Sequence, residues 1–205
     1  MTRHKLVLVD IDTQADFMLP GGKLYVPGAE TLLPLLERLR DCAEQHGIPI
    51  LASTDAHATD DPEFRQWPPH CVRGTPGQLK VPETLLPQYL VVPRERQTPL
   101  TAEELSRYPQ WILEKNTLDM FTGPQAGDLV QRLGAEEYAV YGVATEYCVR
   151  LAVLGLLQRK QRVRLLTDAI MGIDPAAVQR ALDEMQAAGA KLAETKDVLA
   201  ATVAA

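Results

Sequence analysis

The side chains of this sequence that could do chemistry fall into two sets. The first is Asp12, Lys115 and Cys148. Cys148 stands where an apolar run gives way to a helical pattern, and with Thr145 as the N-cap it occupies the third helical position. A thiol in a first helical turn faces unpaired N–H groups and the positive end of the helix dipole, which favour the thiolate and prepare a nucleophile. The position reads equally as a small buried hydrophobe, because Val149, Leu151, Ala152, Val153, Leu154, Leu156 and Leu157 make the helix largely apolar. A thiol that attacks an amide needs a base to take its proton and later return it to the departing amine. None of His4, His46, His57 and His70 lies beside Cys148 in the chain, so Asp12 is the better base candidate and Lys115 the cation that would hold both poised. The plain alternatives are a turn or cap role for Asp12 and a solvated surface position for Lys115.

The second set centres on Asp55-Ala-His57. In extended or turning backbone, residues two apart share a side, so a carboxylate and an imidazole can grip one ion. Glu63 and His70, in the same loop, could complete the set. Mixed oxygen and nitrogen donors without thiolate suit Zn²⁺, Mn²⁺ or Fe²⁺ with coordination positions left open. The alternative is a loop tied by hydrogen bonds with no ion. Cys42 falls on a helix's apolar stripe and reads as packing, and so, on balance, does Cys71 beside His70. Three thiols are too few and too odd in number for a disulfide framework.

The elements that must position these groups read as alternating strands and helices. The continuous apolar run from Lys5 to Ile11 predicts a strand buried on both faces, followed by a helix over 29–46 stopped by Gly47 and a strand over 49–53. Residues 54–88 form a long proline-rich loop, a length usually tied to function. Two apolar runs, 89–92 and 111–114, compete for the third strand, and the charge and turn after the second favour it. A helix over 125–132, a strand over 137–143, a helix over 146–160, a strand over 162–167, a helix over 175–188 and a strand over 191–193 complete the pattern. The Ala-rich stretch 199–205 reads as the end of a last helix. The expected fold is α/β: three layers, a doubly wound and mostly parallel six-stranded sheet with helices on both faces. In such a sheet ligands bind beyond the carboxyl ends of the strands, where Asp12, Asp55, Lys115 and Cys148 all fall.

The 205 residues suit one domain over 1–205, and 46% hydrophobic residues supply a core. A balance of 21 basic against 27 acidic residues, net −6, gives no footprint for nucleic acid. No apolar run reaches bilayer length and Asp10 and Asp12 spoil a signal-peptide core, so the expectation is a cytoplasmic protein without a membrane partner.

Taken together, Asp12-Thr-Gln-Ala-Asp-Phe17, Gly21-Gly-Lys-Leu-Tyr-Val-Pro-Gly28, Asp55-Ala-His57, Trp67-Pro-Pro-His-Cys-Val-Arg-Gly-Thr-Pro-Gly77, Lys115 and Gly142-Val-Ala-Thr-Glu-Tyr-Cys-Val-Arg150 resemble the isochorismatase-like cysteine hydrolases, and among them the nicotinamidases. The motifs come in the family's order across nearly the whole chain. The resemblance implies Cys148 as nucleophile, Asp12 as general base and acid, and Lys115 as their electrostatic partner. It implies a cis peptide between Val143 and Ala144, and an oxyanion hole from the N–H groups of Ala144 and Cys148. It also implies one divalent ion on Asp55, His57, Glu63 and His70, with Phe17, Trp67 and Ala144 against a substrate such as nicotinamide.

Two departures bear on substrate. Glu63 stands where many nicotinamidases carry a third histidine, and Lys115-Asn-Thr-Leu-Asp-Met-Phe121 differs from the pattern usual after the family's lysine. The expected activity is hydrolysis of nicotinamide to nicotinate and ammonia in NAD salvage. Another small amide or carbamoyl compound is the alternative, and a catalytically silent binding module is a third reading opposed by the intact Asp12, Lys115 and Cys148. Analogy of fold alone suggests a homodimer.

Overall fold

The computed structural model describes residues 4–203 of the chain. Its elements run β1 (Leu6–Ile11), α1 (Ala15–Met18), α2 (Leu33–His46), β2 (Ile50–Asp55), β3 (Tyr89–Val92), α3 (Ala102–Arg107), β4 (Gln110–Lys115), α4 (Pro124–Leu133), β5 (Glu137–Val143), α5 (Arg150–Gln158), β6 (Val163–Met171), α6 (Pro175–Ala187), β7 (Lys191–Ala193) and α7 (Thr195–Val203). The strands form one parallel sheet in the order β3-β4-β2-β1-β5-β6-β7. The chain builds outward from β1 in both directions, so the crevice beside β1 is where the winding reverses.

Strand alternation sorts the core into two layers. Val7, Val9 and Ile11 of β1 pack with α4, α5 and α6 on one face, and Leu8 packs with α2 and Val198 of α7 on the other. Helix α2 contributes Leu36, Leu39, Cys42 and Ala43 to this second layer, with Pro34 in its first turn and Gly47 ending it in the left-handed region at φ 63°. Gly142 of β5 lies at φ 118° against β1, where an added Cβ would sit 2.1 Å from the Ile11 carbonyl oxygen. Only glycine lets these two strands run this close beside the site.

The sheet has seven strands where the sequence suggests six, because both competing apolar runs are strands. The favoured run 111–114 lies within β4, paired with β2, and 89–92 is the edge strand β3. Tyr89 and Val91 are exposed while Val92 is buried, an alternation that marks an edge wetted on one side. β6 also runs on to Met171, four residues past the expected end, after a register irregularity opposite Val140 and Gly142. The stretch expected as one helix over 146–160 is a π-helical turn, Thr145–Val149, followed by α5. Of the expected terminal stretch 199–205, α7 covers the beginning, and 204–205 lie outside the described residues.

The loop after β2 is ordered by short 3-10 turns at Pro62–Arg65, Pro76–Gln78 and Pro82–Thr84. A buried ion pair ties it to β1: Lys80 Nζ lies 2.9 Å from Asp10 Oδ2 and donates to Thr13 Oγ1 at 2.7 Å, and Thr13 donates to Asp10 at 2.8 Å. Lys80 and Asp10 are both buried, so removing the ammonium leaves an uncompensated carboxylate in the core. Lys80→Met should lower stability by about 3–5 kcal/mol in denaturant unfolding, and a loss under about 1 kcal/mol, the worth of an exposed pair, would show that the pair does not anchor this loop.

Candidate active site

Four parallel strand ends bring the first set of side chains, together with Asp55 of the second, to one point. Asp12 follows β1, Asp55 ends β2, Lys115 ends β4, and Cys148 lies in the π-turn after β5. Asp12 takes a left-handed conformation, φ 51°, that turns its carboxylate back over the strand ends. Its Oδ1 accepts a 2.7 Å hydrogen bond from Ser53 Oγ of β2. Lys115 Nζ lies 2.8 Å from Asp12 Oδ2, donates to Asp55 Oδ1 at 2.5 Å and to Cys148 Sγ at 3.6 Å. The thiol and the Asp12 carboxylate thus share Lys115 as a common neighbour. All four side chains are buried, and the Val143–Ala144 peptide beside them is cis.

The electrostatics differ from the sequence expectation at Cys148. Burial pushes its thiol well above the ordinary value, with Asp12 and Asp55 adding to the rise and Lys115 opposing it. Thr145 is no N-cap either: it lies inside the turn, its hydroxyl buried without a hydrogen-bond partner, while Ala144 occupies the cap position. Burial likewise raises the Asp12 carboxyl, against the pull of Lys115. Burial opposes ionisation of Asp55 too, but there Lys115, His57 and His70 outweigh it and hold the carboxyl well below the usual range. Lys115, desolvated yet flanked by Asp12 and Asp55, keeps its proton far above the ordinary lysine value. The resting thiol therefore carries its proton next to a carboxylate able to accept it, a pair that titrates as one unit.

The second set lies against the first through Asp55. Its Oδ2 is 3.8 Å from Nε2 of both His57 and His70, and these three residues offer ligand atoms within 4.8 Å of one another. His70 Nδ1 lies 2.8 Å from the Pro68 carbonyl oxygen, so it carries the ring proton and Nε2 is left as a donor of electrons. His57 is buried, with neither Nδ1 nor Nε2 in a hydrogen bond, and Asp61 Oδ2 stands 3.2 Å from Nδ1. The carboxyl groups of Asp12, Asp55, Asp61 and Glu63 gather around this point with the ammonium of Lys115. Two imidazole nitrogens and a carboxylate fit a divalent cation. Glu63, half-buried in the turn Pro62–Arg65, faces the same cleft but stands outside the three-residue cluster.

Between the two sets opens a cleft of about 410 Å³, its mouth included. Phe17 lies on one side, its ring 5.3 Å from that of His70, and Trp67 on another, in edge-to-face contact with Tyr147 at 5.4 Å. Leu24, Val26, Leu118 and Ile173 make the remaining wall apolar. Cys42 and Cys71 are buried away from this cleft, Cys42 in the α2 layer. Every residue assigned to the two sets or to the substrate, apart from His57, lines the cleft or, in the case of Lys115, touches groups that do.

Several residues of the site carry no obvious mark in the sequence. Gln14 is fully buried, accepts from the Asp55 N–H at 2.6 Å and donates to the Asp55 and Gln78 carbonyls at 2.8 and 2.7 Å. Phe64 packs 5.3 Å from the ring of His57 and 5.8 Å from that of His70. Glu146 accepts from the N–H groups of Ile173 and Asp174, fixing the cleft wall after β6. For Gln14 the signal was its place two residues after Asp12 on the same sheet edge. For Phe64 and Glu146 only the fold supplies it.

Comparison with known proteins agrees with this arrangement. The Isochorismatase domain model matches residues 6–110 and 99–197. The chain is similar to the nicotinamidase of Escherichia coli (strain K12), 29% identical over 213 residues that cover 94% of this chain and 95% of that one. It is 28% identical over 193 residues to the nicotinamidase/pyrazinamidase of Mycobacterium tuberculosis, covering 90% and 96%. The crystal structure of a pyrazinamidase of Pyrococcus horikoshii in complex with zinc superposes with a TM-score of 0.78 at 30% identity, over 93% of this chain and 99% of that one. With its sheet order, its strand-end constellation and a family match over nearly its full length, the chain belongs to the isochorismatase family.

Proposed function

We propose that this protein is a cysteine amidohydrolase that converts nicotinamide to nicotinate and ammonia with the help of a divalent metal ion. The observation that carries the reading is Lys115 Nζ, 2.8 Å from Asp12 and 3.6 Å from the Cys148 sulfur, at the floor of a cleft with aromatic walls. The comparisons support it, since the curated relatives are nicotinamidases.

In this reading Cys148 gives its proton to Asp12 as the sulfur attacks the carboxamide carbon, and Lys115 offsets the negative charge wherever it sits between them. The oxyanion formed faces the N–H groups of Ala144 and Cys148, each such donor contributing about 3 kcal/mol. Collapse of the intermediate breaks the C–N bond, and Asp12 returns the proton to the departing ammonia. Asp12 then takes a proton from a water that attacks the thioester, and release of the acid regenerates the thiol. Phe17 and Trp67 hold the flat ring. Asp55, His57 and His70, with Glu63 alongside, would hold a divalent ion, which would supply a Lewis acid toward the substrate ring; zinc is the first choice, given the zinc complex of the Pyrococcus pyrazinamidase. We assign this activity to NAD salvage in the cytoplasm, with residues 1–205 as one hydrolase domain and a homodimer as the working form.

Leu118, in the segment that departs from the family pattern, lines the cleft and is the observation behind one second reading, another small amide or carbamoyl compound. A panel in which nicotinamide is inert and such an amide is turned over selects it.

Cys148→Ala and Asp12→Asn should each lower ammonia release from nicotinamide by about 10³-fold or more while leaving the folded chain intact by circular dichroism. Turnover retained in Cys148→Ala excludes the proposed nucleophile. Stripping the metal with a chelator should raise KM for nicotinamide more than it lowers kcat, and re-added Zn²⁺ should reverse the change. A KM indifferent to chelation shows that no ion orients the ring.

A further inference from the structure

Behind His57, on the side away from Asp55, lies a carboxylate held from two directions. Asp61 is buried. Its Oδ1 accepts from the Glu63 N–H at 3.0 Å, and its Oδ2 accepts from Asn116 Nδ2 at 3.3 Å while standing 3.2 Å from His57 Nδ1. Asn116 directly follows Lys115, in the segment whose sequence departs from the family pattern.

We propose that Asp61, clamped by Asn116, is a positioning residue that selects the Nδ1–H tautomer and ring orientation of His57, so that Nε2 is presented to a divalent cation. The inference rests on the metal reading above. A neutral imidazole can carry its proton on either nitrogen. Asp55, 3.8 Å in front of Nε2, attracts the proton to the wrong nitrogen for ligation. A carboxylate behind the ring draws it back to Nδ1 and makes Nε2 the more basic donor. At His70 the Pro68 carbonyl does this with a neutral acceptor, but His57 has a charged one. Phe64 confines the ring plane of His57 but cannot tell one nitrogen from the other. The two clamps on Asp61 keep its Oδ2 from turning away, and Asn116 thereby joins the metal side of the cleft to the strand end that carries Lys115.

Asp61→Asn tests this directly, because its carboxamide oxygen can still accept from the Glu63 N–H while its NH₂ meets Nδ1 and favours the opposite tautomer. In the chelator-stripped full chain, titration of Zn²⁺ against a chromophoric chelator should show Asp61→Asn binding about 10- to 100-fold more weakly and Asn116→Ala weakened to a smaller degree. Nitrogen NMR of the stripped protein should report Nδ1–H at His57 in the wild type and a shift toward Nε2–H in Asp61→Asn. In a His57→Ala background the same substitution should change Zn²⁺ affinity by less than about two-fold, since its effect acts through that ring. Wild-type affinity in Asp61→Asn, an unchanged His57 tautomer, or the full loss persisting without His57 each overturns the inference. A wild-type chain that takes up no Zn²⁺ overturns the metal reading together with it, whereas uptake that ignores Asp61 overturns the inference alone.

Discussion

An ammonium taken out of water must be matched by charge, and Lys115 is matched twice over. Its Nζ lies between Asp12 and Asp55, with the Cys148 sulfur as a third neighbour. Desolvating one cation and two carboxylates costs several kcal/mol per ion unless all three meet in good geometry. Removing Lys115 would leave two buried carboxylates facing each other beside a thiol. The ammonium is therefore what allows a proton-accepting carboxylate and a carboxylate suited to metal to sit side by side at the bottom of one cleft. It lowers both carboxyls, yet burial leaves Asp12 raised while Asp55, with two histidines added, is held low. Two chemically identical groups so acquire two different tasks.

The scaffold supplies the meeting point without special loops of its own making. Parallel strands all end at the same edge, and β1, β2, β4 and β5 are neighbours there. The residues they carry are spread across more than half of the chain, yet Asp12, Asp55 and Lys115 need only be the last of a strand or the first beyond it, and Cys148 lies in the turn that follows β5. What lies past that edge is more specialised. The 3-10 turns after β2 bring His57, Glu63, Trp67 and His70 around Asp55, and Gln14, bonded to both the N–H and the carbonyl of Asp55, joins that loop to the one after β1. The Asp10–Lys80 pair fastens the far end of the same loop to β1.

Much of this was legible in the sequence because it depends on local pattern. Buried parallel strands read as apolar runs, Gly47 stops α2, and the residues after the strands fall where an open sheet binds ligands. The motif resemblance adds the pairing of Asp12, Lys115 and Cys148, which spacing alone does not force. What escaped depends on tertiary surroundings. The edge strand β3 looked like a rejected rival of β4 because four residues of alternating exposure carry little signal. The first-turn argument for a lowered Cys148 pKa failed because it weighed helix termini and not burial, and in this turn burial wins. Asp61 and Phe64 acquire their roles from contact with the His57 ring, and Gln14 from its bonds to Asp55, 41 residues away.

The central claim is that the buried sulfur beside Asp12 and Lys115 becomes the acyl carrier in turnover. Rapid acid quench of the enzyme during nicotinamide hydrolysis, followed by peptide mass spectrometry, reads this directly. The account predicts a nicotinoyl thioester on the peptide that contains Cys148, appearing within the first turnover and decaying as substrate is exhausted. Sustained release of nicotinate with Cys148 unmodified at every time point would contradict it.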